Sequence, residues 1–219
     1  MPRFQHVLFD LDGTLIDSAP AILSSYRDAF EVTGLRPAFQ IDASIIGPPL
    51  IETLEMLAGD CDKALIGELA EQFKRSYDST GYRQTSAFNG INAMLARLKA
   101  GGLSISIATN KRLRPTLLIL RHFGWENHFD AVYALDLFEP RLPNKAAMIA
   151  RLLTDRNIEP AGAAYVGDRS EDGLSADANH LPFLAATWGY GSLSATEMAP
   201  HWRAFESPAA LADALLATS

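Results

Sequence analysis

Residues 4–18 of this chain of 219 residues read FQHVLFDLDGTLIDS, and the rest of the sequence is organised around them. Residues 7–9 (VLF) are apolar, which is typical of a strand buried on both faces of a parallel sheet. Asp10 and Asp12 follow directly, with Gly13 behind them. Carboxylates are rarely buried unless they are paired or bind a cation, so this strand end indicates function. An Asp-Gly turn at the end of a strand is the plainer alternative.

The remaining sequence alternates short apolar runs with amphipathic stretches. Strands are predicted over 103–108, 131–134, 163–166 and 183–186, and helices over 91–99, 115–123, 146–154, 173–178 and 211–217. Residues 17–80 are helical only, with helices over 19–32, 50–58 and 63–77. This order predicts an α/β fold, with a Rossmann-like parallel sheet and helices on both faces. We expect a core of residues 1–16 and 83–219, and a small all-helical cap, residues 17–82, inserted after the first strand.

Three polar side chains are predicted at the carboxyl ends of different strands. Asp10, Thr109 and Asp168 each come at or just after such an end. Functional residues of parallel sheets collect at this edge, so we expect the three to share one site.

Four motifs of the sequence together resemble those of the haloacid dehalogenase-like hydrolases, in their phosphatase branch. They are DLDGTLIDS (10–18), ATNK (108–111), PNKAAMI around Lys145, and VGDRSED (166–172). The resemblance covers nearly the whole chain and is greatest to phosphoglycolate phosphatase-like proteins with a helical cap, including nucleotidase-type members. It implies hydrolysis of a small phosphate monoester through an aspartyl-phosphate.

The resemblance also implies a role for individual residues. Asp10 would be the nucleophile, and Asp12 the general acid that protonates the leaving oxygen and then activates water. Thr109 and Asn110 would hold the phosphoryl oxygens, and Lys145 would neutralise charge on the nucleophile and the phosphate.

The acidic residues of these motifs imply a cation. Two like charges at close range repel by about 4 kcal/mol at an effective dielectric constant near 20, so a phosphate could not approach four carboxylates alone. Mg²⁺ suits a site of carboxylates, substrate oxygens and water. By resemblance its ligands would be Asp10, the main-chain carbonyl of Asp12, and Asp168, with Asp172 binding directly or through water.

Other residues leave two interpretations open. Gly47, in the cap sequence IIGPPL, is either a substrate contact or part of a plain helix–helix turn. Lys111 and Arg169 could contact the phosphate. A salt bridge is the favoured interpretation for both residues. Ser18 is interpreted as helix entry, and WGYG at 188–191 as a loop that packs near the site.

Alternative functions differ in what they need from these residues. Asp12 favours phosphate esters over a dehalogenase, because a halide leaves without a proton. A 5'-nucleotidase-type nucleoside monophosphatase is the main alternative. A sugar-phosphate mutase or a non-catalytic phosphate-binding protein is a less favoured alternative. Either 2-phosphoglycolate or a nucleoside monophosphate fits the resemblance as substrate. We expect the cap to open and close on hinges near 16–19 and 82–87.

Composition limits the partners. The net charge of −7 and the lack of a basic cluster argue against a nucleic acid polymer. No apolar run reaches the roughly 18 residues of a membrane span. The single cysteine, Cys61, and an N-terminus without a signal-peptide pattern fit a cytoplasmic protein. We expect a monomer or a homodimer.

Overall fold

The central feature of the fold is a parallel sheet. The computed structural model of the chain describes residues 4–190, 193 and 196–217. Its strands are β1 (His6–Phe9), β2 (Ile16–Asp17), β3 (Ser86–Ala87), β4 (Ser104–Thr109), β5 (Ala131–Ala134), β6 (Ala163–Gly167), β7 (Phe183–Ala186) and β8 (Arg203–Phe205). Six of them form one sheet in the order β5-β4-β1-β6-β7-β8, with every neighbouring pair parallel. The predicted fold class is therefore confirmed.

Helices cover both faces of this sheet and form the insertion. They are α1 (Ala19–Thr33), α2 (Leu50–Ala58), α3 (Lys63–Ser79), α4 (Ile91–Ala100), α5 (Leu113–Phe123), α6 (Lys145–Asp155), α7 (Ser170–Asp177) and α8 (Pro208–Leu216). Strand residues alternate between two hydrophobic clusters, because successive side chains of a strand point to opposite faces. Val7 and Phe9 face the cluster that holds α4, α5 and α8, whereas Leu8 faces that of α6 and α7.

The first strand lies at the middle of the sheet, between β4 and β6. Val7 pairs with Ile105 on one side and with Ala164 on the other. The chain runs outward from β1 to β4 and β5, and then continues on the other side with β6. Ligands of such sheets bind at the carboxyl ends of the strands where the order reverses, which is where β1, β4 and β6 end.

The helical insertion leaves and rejoins the core through a short two-stranded ribbon. Ile16 pairs with Ala87 and Asp17 with Ser86, antiparallel. Between these strands the chain forms α1, α2 and α3, with α1 packed on α3 through Tyr26 and Phe73. The all-helical insertion after the first strand agrees with the sequence, whereas the cap bounds of 17–82 stay a prediction.

Several elements differ from the prediction. Strand β8 and the pair β2 and β3 were not expected, because none of them is longer than three residues. Helix α7 begins at Ser170 and not at 173, because the Asp172 carboxylate accepts the backbone N–H groups of Asp168 and Arg169. Helix α8 begins at Pro208 and not at 211, and the Ser207 hydroxyl caps it.

Among the helices of the described residues, none combines the length and the apolar character that a membrane crossing requires.

Candidate active site

The turn after β1 brings the first carboxylate into the interior. The Asp10 backbone N–H donates to the Val166 carbonyl at 2.9 Å, and the residue is only 5% exposed. Gly13 follows with φ +82°, where a Cβ atom would come within 2.2 Å of an Asp168 carboxylate oxygen. Glycine is therefore required here, both for the backbone conformation and for the close approach of Asp168 to the turn.

Three carboxylates lie together at this strand edge. Asp10, Asp168 and Asp172 are all buried, and one oxygen atom from each lies within 4.8 Å of the others. Lys145 is buried among them, with its Nζ atom 3.2 Å from Asp10 Oδ1 and 2.5 Å from Asp172 Oδ1. One cation against three acids leaves the cluster with an excess of negative charge if all are ionised.

Helix starts position two members of this cluster. The Asn144 side chain accepts the Ala147 backbone N–H at 2.9 Å and caps α6, which makes Lys145 the first residue of that helix. Asp172 lies in the first turn of α7, and its Oδ2 accepts the N–H groups of Asp168 and Arg169, each at 3.1 Å. Capping thus fixes both side chains without using flexible loops.

The electrostatics of the cluster shift the protonation of its members. Burial raises the pKa of Asp10 to about 8, with Lys145 opposing the shift and the neighbouring acids adding to it. Burial alone would lower the pKa of Lys145, but the carboxylates of Asp10 and Asp172 hold it well above its usual range. The carboxylates thus favour the protonated form of Lys145, whereas burial disfavours the charged form of Asp10.

The end of β4 supplies neutral polar groups next to the acids. Thr109 is the last residue of β4 and is buried, and its hydroxyl accepts the Lys111 backbone N–H at 3.2 Å. Asn110 Nδ2 donates to the Gly47 carbonyl of the cap at 3.2 Å and to Glu171 Oε1 at 3.1 Å. Asn110 therefore links the core site to the cap loop that the sequence singled out.

Asp12 has a separate set of contacts. Lys111 Nζ lies 3.1 and 3.2 Å from its two carboxylate oxygens, and the Ser18 hydroxyl donates to Oδ1. The same ammonium lies 4.5 Å from the centre of the Tyr77 ring, which belongs to cap helix α3. Burial alone would lower the pKa of Lys111, but Asp12 and Tyr77 raise it. Lys111 thus forms a salt bridge in this structure, and it holds the Asp12 carboxylate at the boundary between core and cap.

The loop after β7 closes one side of the site. Trp188 Nε1 donates to the Thr14 carbonyl at 2.9 Å, and the Tyr190 hydroxyl lies 3.1 Å from Ser18 Oγ. At Gly189 a Cβ atom would come within 2.0 Å of the Gly13 carbonyl oxygen, so only glycine lets this loop pack there. The structure thus puts 188–190 of the expected loop beside the site, whereas Gly191 lies outside the described residues.

The predicted site residues divide into two groups in space. Asp10, Asp168, Asp172 and Lys145 form the buried cluster. Asp12 lies outside that carboxylate group and faces the cap, next to Lys111, while Gly47 reaches the site through Asn110. Sequence reasoning assigned Ser18 to helix entry and missed its bond to Asp12. Its position in DLDGTLIDS, six residues from Asp12, is the one signal that pointed to it.

The donor set fits a hard divalent cation. The cluster offers only carboxylate oxygens, which are the ligands that Mg²⁺ prefers. Lys145 is the one cationic side chain found among these three acids in the part of the chain that the structure describes. Asp172 already accepts from Lys145 and from two backbone N–H groups, so Asp10 and Asp168 are the better placed of the three to face an ion.

Comparison with a protein family agrees with the motifs. The family model described as haloacid dehalogenase-like hydrolase matches residues 7–186 of this chain. Among solved structures, a predicted phosphatase from Clostridium acetobutylicum superimposes with a TM-score of 0.86 at 28% identity, covering 97% of this chain and 98% of that one.

Individual relatives carry different names. A tyrosine-protein kinase, PtkA of Mycobacterium tuberculosis, is 36% identical over 85% of this chain, and the match spans 63% of that protein's length. A 5'-nucleotidase of Pseudomonas aeruginosa is 31% identical over 87% of this chain and 86% of its own length. A phosphoglycolate phosphatase of Xanthomonas campestris is 32% identical, covering 84% and 83% respectively.

Proposed function

Because this chain belongs to the haloacid dehalogenase-like hydrolase family, we propose that it is a Mg²⁺-dependent phosphatase that hydrolyses a small phosphate monoester. We expect it to resemble the phosphoglycolate phosphatases in activity, one of which is 32% identical to it. A single observation supports this proposal best. Asp10 is buried in an acid cluster beside Lys145, while a second carboxylate, Asp12, stands two residues on and faces the cap.

The two aspartates carry out different steps of the reaction. The Asp10 carboxylate attacks phosphorus, and the bond from phosphorus to the leaving oxygen breaks. Asp12 donates its proton to that oxygen, which leaves as an alcohol. Asp12 then takes a proton from water, whose oxygen attacks the aspartyl-phosphate and releases inorganic phosphate and free Asp10.

The remaining site residues bind and orient the phosphoryl group. The Thr109 hydroxyl and the Asn110 amide, at the end of β4, donate hydrogen bonds to its oxygens. Lys145 balances charge between Asp10 and the phosphate. Gly47 contributes through its backbone, which brings the cap loop against Asn110. Since phosphoryl transfer depends mainly on positioning and electrostatics, these contacts supply much of the rate.

A magnesium ion would be held by the carboxylates of Asp10 and Asp168 and the main-chain carbonyl of Asp12, with Asp172 supporting it. When bound, it would supply the positive charge that lets a dianionic phosphate approach this acidic cluster. The oxygen donors and the raised pKa of Asp10 support this assignment.

Two other functions are favoured by specific matches. The 5'-nucleotidase that is 31% identical favours a nucleoside monophosphate as substrate. PtkA, at 36% identity, favours phosphoryl transfer to tyrosine as a second candidate activity. Transfer needs a phosphate donor such as ATP, so labelling of a tyrosine-containing peptide by radioactive ATP distinguishes it from hydrolysis.

The test of the main proposal is release of inorganic phosphate from p-nitrophenyl phosphate, with Mg²⁺ and with EDTA. We expect turnover that requires Mg²⁺ and is lost in Asp10→Asn. Asp213→Asn is the matched control, because Asp213 lies in an exposed ion pair with Arg97. Turnover that persists in Asp10→Asn would contradict the nucleophile, and no hydrolysis of any monoester by the wild type would contradict the function.

Three further properties belong to the same proposal. The cap, residues 17–82, opens and closes over the core through hinges near 16–19 and 82–87. The enzyme works in the cytoplasm, as the single Cys61 suggests. It acts on a small molecule, as a monomer or a homodimer.

A further inference from the structure

Lys111 lies in a pocket between the cap and the core, beside the proposed general acid. Both Lys111 and Asp12 line this pocket, and its other walls come from α1, the loop before α2, α3 and the start of α5. The Lys111 side chain is only 6% exposed, and its Nζ atom lies 3.1 and 3.2 Å from the two carboxylate oxygens of Asp12. In this structure the carboxylate of Asp12 therefore balances a buried ammonium charge.

The proposed reaction removes this balance. Asp12 must carry a proton when the ester binds, because it gives that proton to the leaving oxygen. The side chain of Asp12 is then neutral, and the ammonium of Lys111 has lost its counter-charge. A buried charge without a partner is strongly unfavourable. An anionic group on the leaving alcohol would restore the balance.

The other residues that line the pocket do not supply this charge. Asp12 is the one acidic residue that lines it in the part of the chain that the structure describes. The ring of Tyr77, with its centre 4.5 Å from Nζ, attracts the ammonium but carries no charge. Arg112 also lines the pocket, but it keeps its two bonds to Asp78, at 2.9 and 2.5 Å, because Asp78 takes no part in the proton transfer. Lys111 is therefore the cation whose partner the reaction neutralises.

The same geometry restricts where the anionic group can lie on the substrate. The leaving oxygen must come within about 2.6–3.2 Å of an Asp12 carboxylate oxygen to receive the proton. Lys111 Nζ lies 3.1 Å from Asp12 Oδ1, so a leaving oxygen at this atom is at most about 6 Å from the ammonium. A carboxylate one or two carbon atoms from the ester oxygen spans such a distance. The pocket encloses only about 60 Å³, which also fits a short group.

We propose that Lys111 is a specificity-determining residue that changes its partner during the reaction. The ammonium leaves the neutral Asp12 and pairs with an anionic group, such as a carboxylate, one or two carbon atoms from the ester oxygen. This inference rests on the proposed phosphatase function and deepens it. It favours phosphate esters of small hydroxy acids over a nucleoside monophosphate, whose ribose carries no charge next to the ester.

The test compares 2-phosphoglycolate with its neutral amide, 2-phosphoglycolamide, as kcat/KM with Mg²⁺. The two esters have nearly the same shape and both release a primary alcohol, so they differ mainly in the charge that would face Lys111. We expect the acid to be preferred by at least about 10-fold, which corresponds to roughly 1.4 kcal/mol. Equal or better turnover of the amide would overturn the inference.

Substitution of the lysine tests the residue itself. Lys111→Met removes the charge, so we expect the ratio of acid to amide turnover to fall at least about 5-fold, whereas Lys111→Arg should keep most of it. Lys99→Met is the matched control, because Lys99 pairs with Asp130 outside the pocket and its loss changes the net charge equally. The control should show the wild-type ratio.

Equal losses for both esters in Lys111→Met would mean that the lysine serves Asp12 or the phosphoryl group, and would contradict the proposed role. If that variant does not fold, the wild-type comparison still decides.

Failure of the inference is distinguishable from failure of the function. Hydrolysis of p-nitrophenyl phosphate that is lost in Asp10→Asn, together with equal turnover of the acid and the amide, would reject only the role of Lys111. Absence of Mg²⁺-dependent hydrolysis of every ester would reject both.

Discussion

The buried core site and the pocket beneath the cap treat charge in opposite ways. In the core, three carboxylates surround one lysine, and burial raises the pKa of Asp10 to about 8. In the pocket between the helical insertion and the core, Lys111 and Arg112 are each paired with one aspartate, and most of the lining residues are apolar. The first region therefore carries an excess of acidic groups, whereas acidic and basic groups are matched in the second.

The strongest test of the core half of this comparison is Lys145→Met. Removing the one cation of the cluster should lower kcat at least about 100-fold, as loss of an electrostatic stabiliser typically does. It should also lower the free energy of unfolding by about 3 kcal/mol, because the fully buried Asp172 carboxylate loses its partner. Steady-state kinetics and urea unfolding measure the two effects. Lys99→Met, in an exposed pair with Asp130, is the control and should change neither quantity appreciably.

Charge imbalance in the core also predicts a pH dependence of stability. The pKa of Asp10 is raised from 3.8 to about 8, so between these values the native protein holds a proton that the unfolded chain releases. The contribution of this group to stability therefore falls as pH rises through that range. Asp10→Asn removes the effect, so its stability relative to the wild type should rise by a few kcal/mol as pH increases from 4 to 8 without Mg²⁺.

Urea unfolding of both proteins at several pH values, in EDTA, measures this difference. A difference that stays constant with pH would mean that Asp10 ionises normally. Addition of Mg²⁺ at pH 8 should stabilise the wild type more than Asp10→Asn, because an ion that binds the native state shifts unfolding by mass action.

A smaller effect concerns the close packing of the core site, which requires glycine at position 13. Gly13→Ala should destabilise the protein by about 2–4 kcal/mol, because its Cβ atom would collide with Asp168 at a positive φ. Gly34→Ala, at φ +70° with no atom within 4 Å of its Cβ, should cost only about 1 kcal/mol. Thermal or urea unfolding compares the two. Equal losses would show that backbone strain alone, and not the approach of Asp168, explains the glycine at 13.

The smallest predicted effect separates exposed from buried ion pairs between the cap helices and the core. Arg141 and Glu52 form a pair at 2.8 Å, but both side chains are more than a third exposed. Glu52→Gln should therefore change the free energy of unfolding by less than about 0.5 kcal/mol and leave kcat/KM unaltered. The same measurements on Asp78→Asn should give a larger loss of stability, because the Arg112–Asp78 pair is mostly buried.

Local sequence patterns predicted the core half of the molecule well. The apolar run of residues 7–9, followed by Asp10 and Asp12, defined the central strand and the two carboxylates at its end. Amphipathic spacing located each helix, and the resemblance of four motifs brought Lys145, Asp168 and Asp172 to Asp10. These signals lie in short stretches of sequence, so one amino-acid sequence is sufficient to find them.

Contacts between distant residues were not predictable in the same way. Lys111 and Asp12 are 99 residues apart, and Arg112 and Asp78 are 34 apart, so no spacing rule pairs them. Strand β8 has only Phe205 buried among its three residues, which gives no alternating pattern. The pairing of charges in the pocket therefore depends on how the cap packs against the core. This is a tertiary property that residue propensities and the periodicity of apolar residues do not specify.

The ribbon of β2 and β3 has a consequence for how such a protein diversifies. Since Asp17 and Ser86 lie opposite each other, the whole helical insertion enters and leaves at one point of the core. A short turn across this ribbon would in principle close the core without the insertion, and a different insertion with the same adjacent ends would join it equally well. The helical insertion could thus be exchanged for another while the core sheet stays intact, because both ends of the insertion join the core at two neighbouring positions.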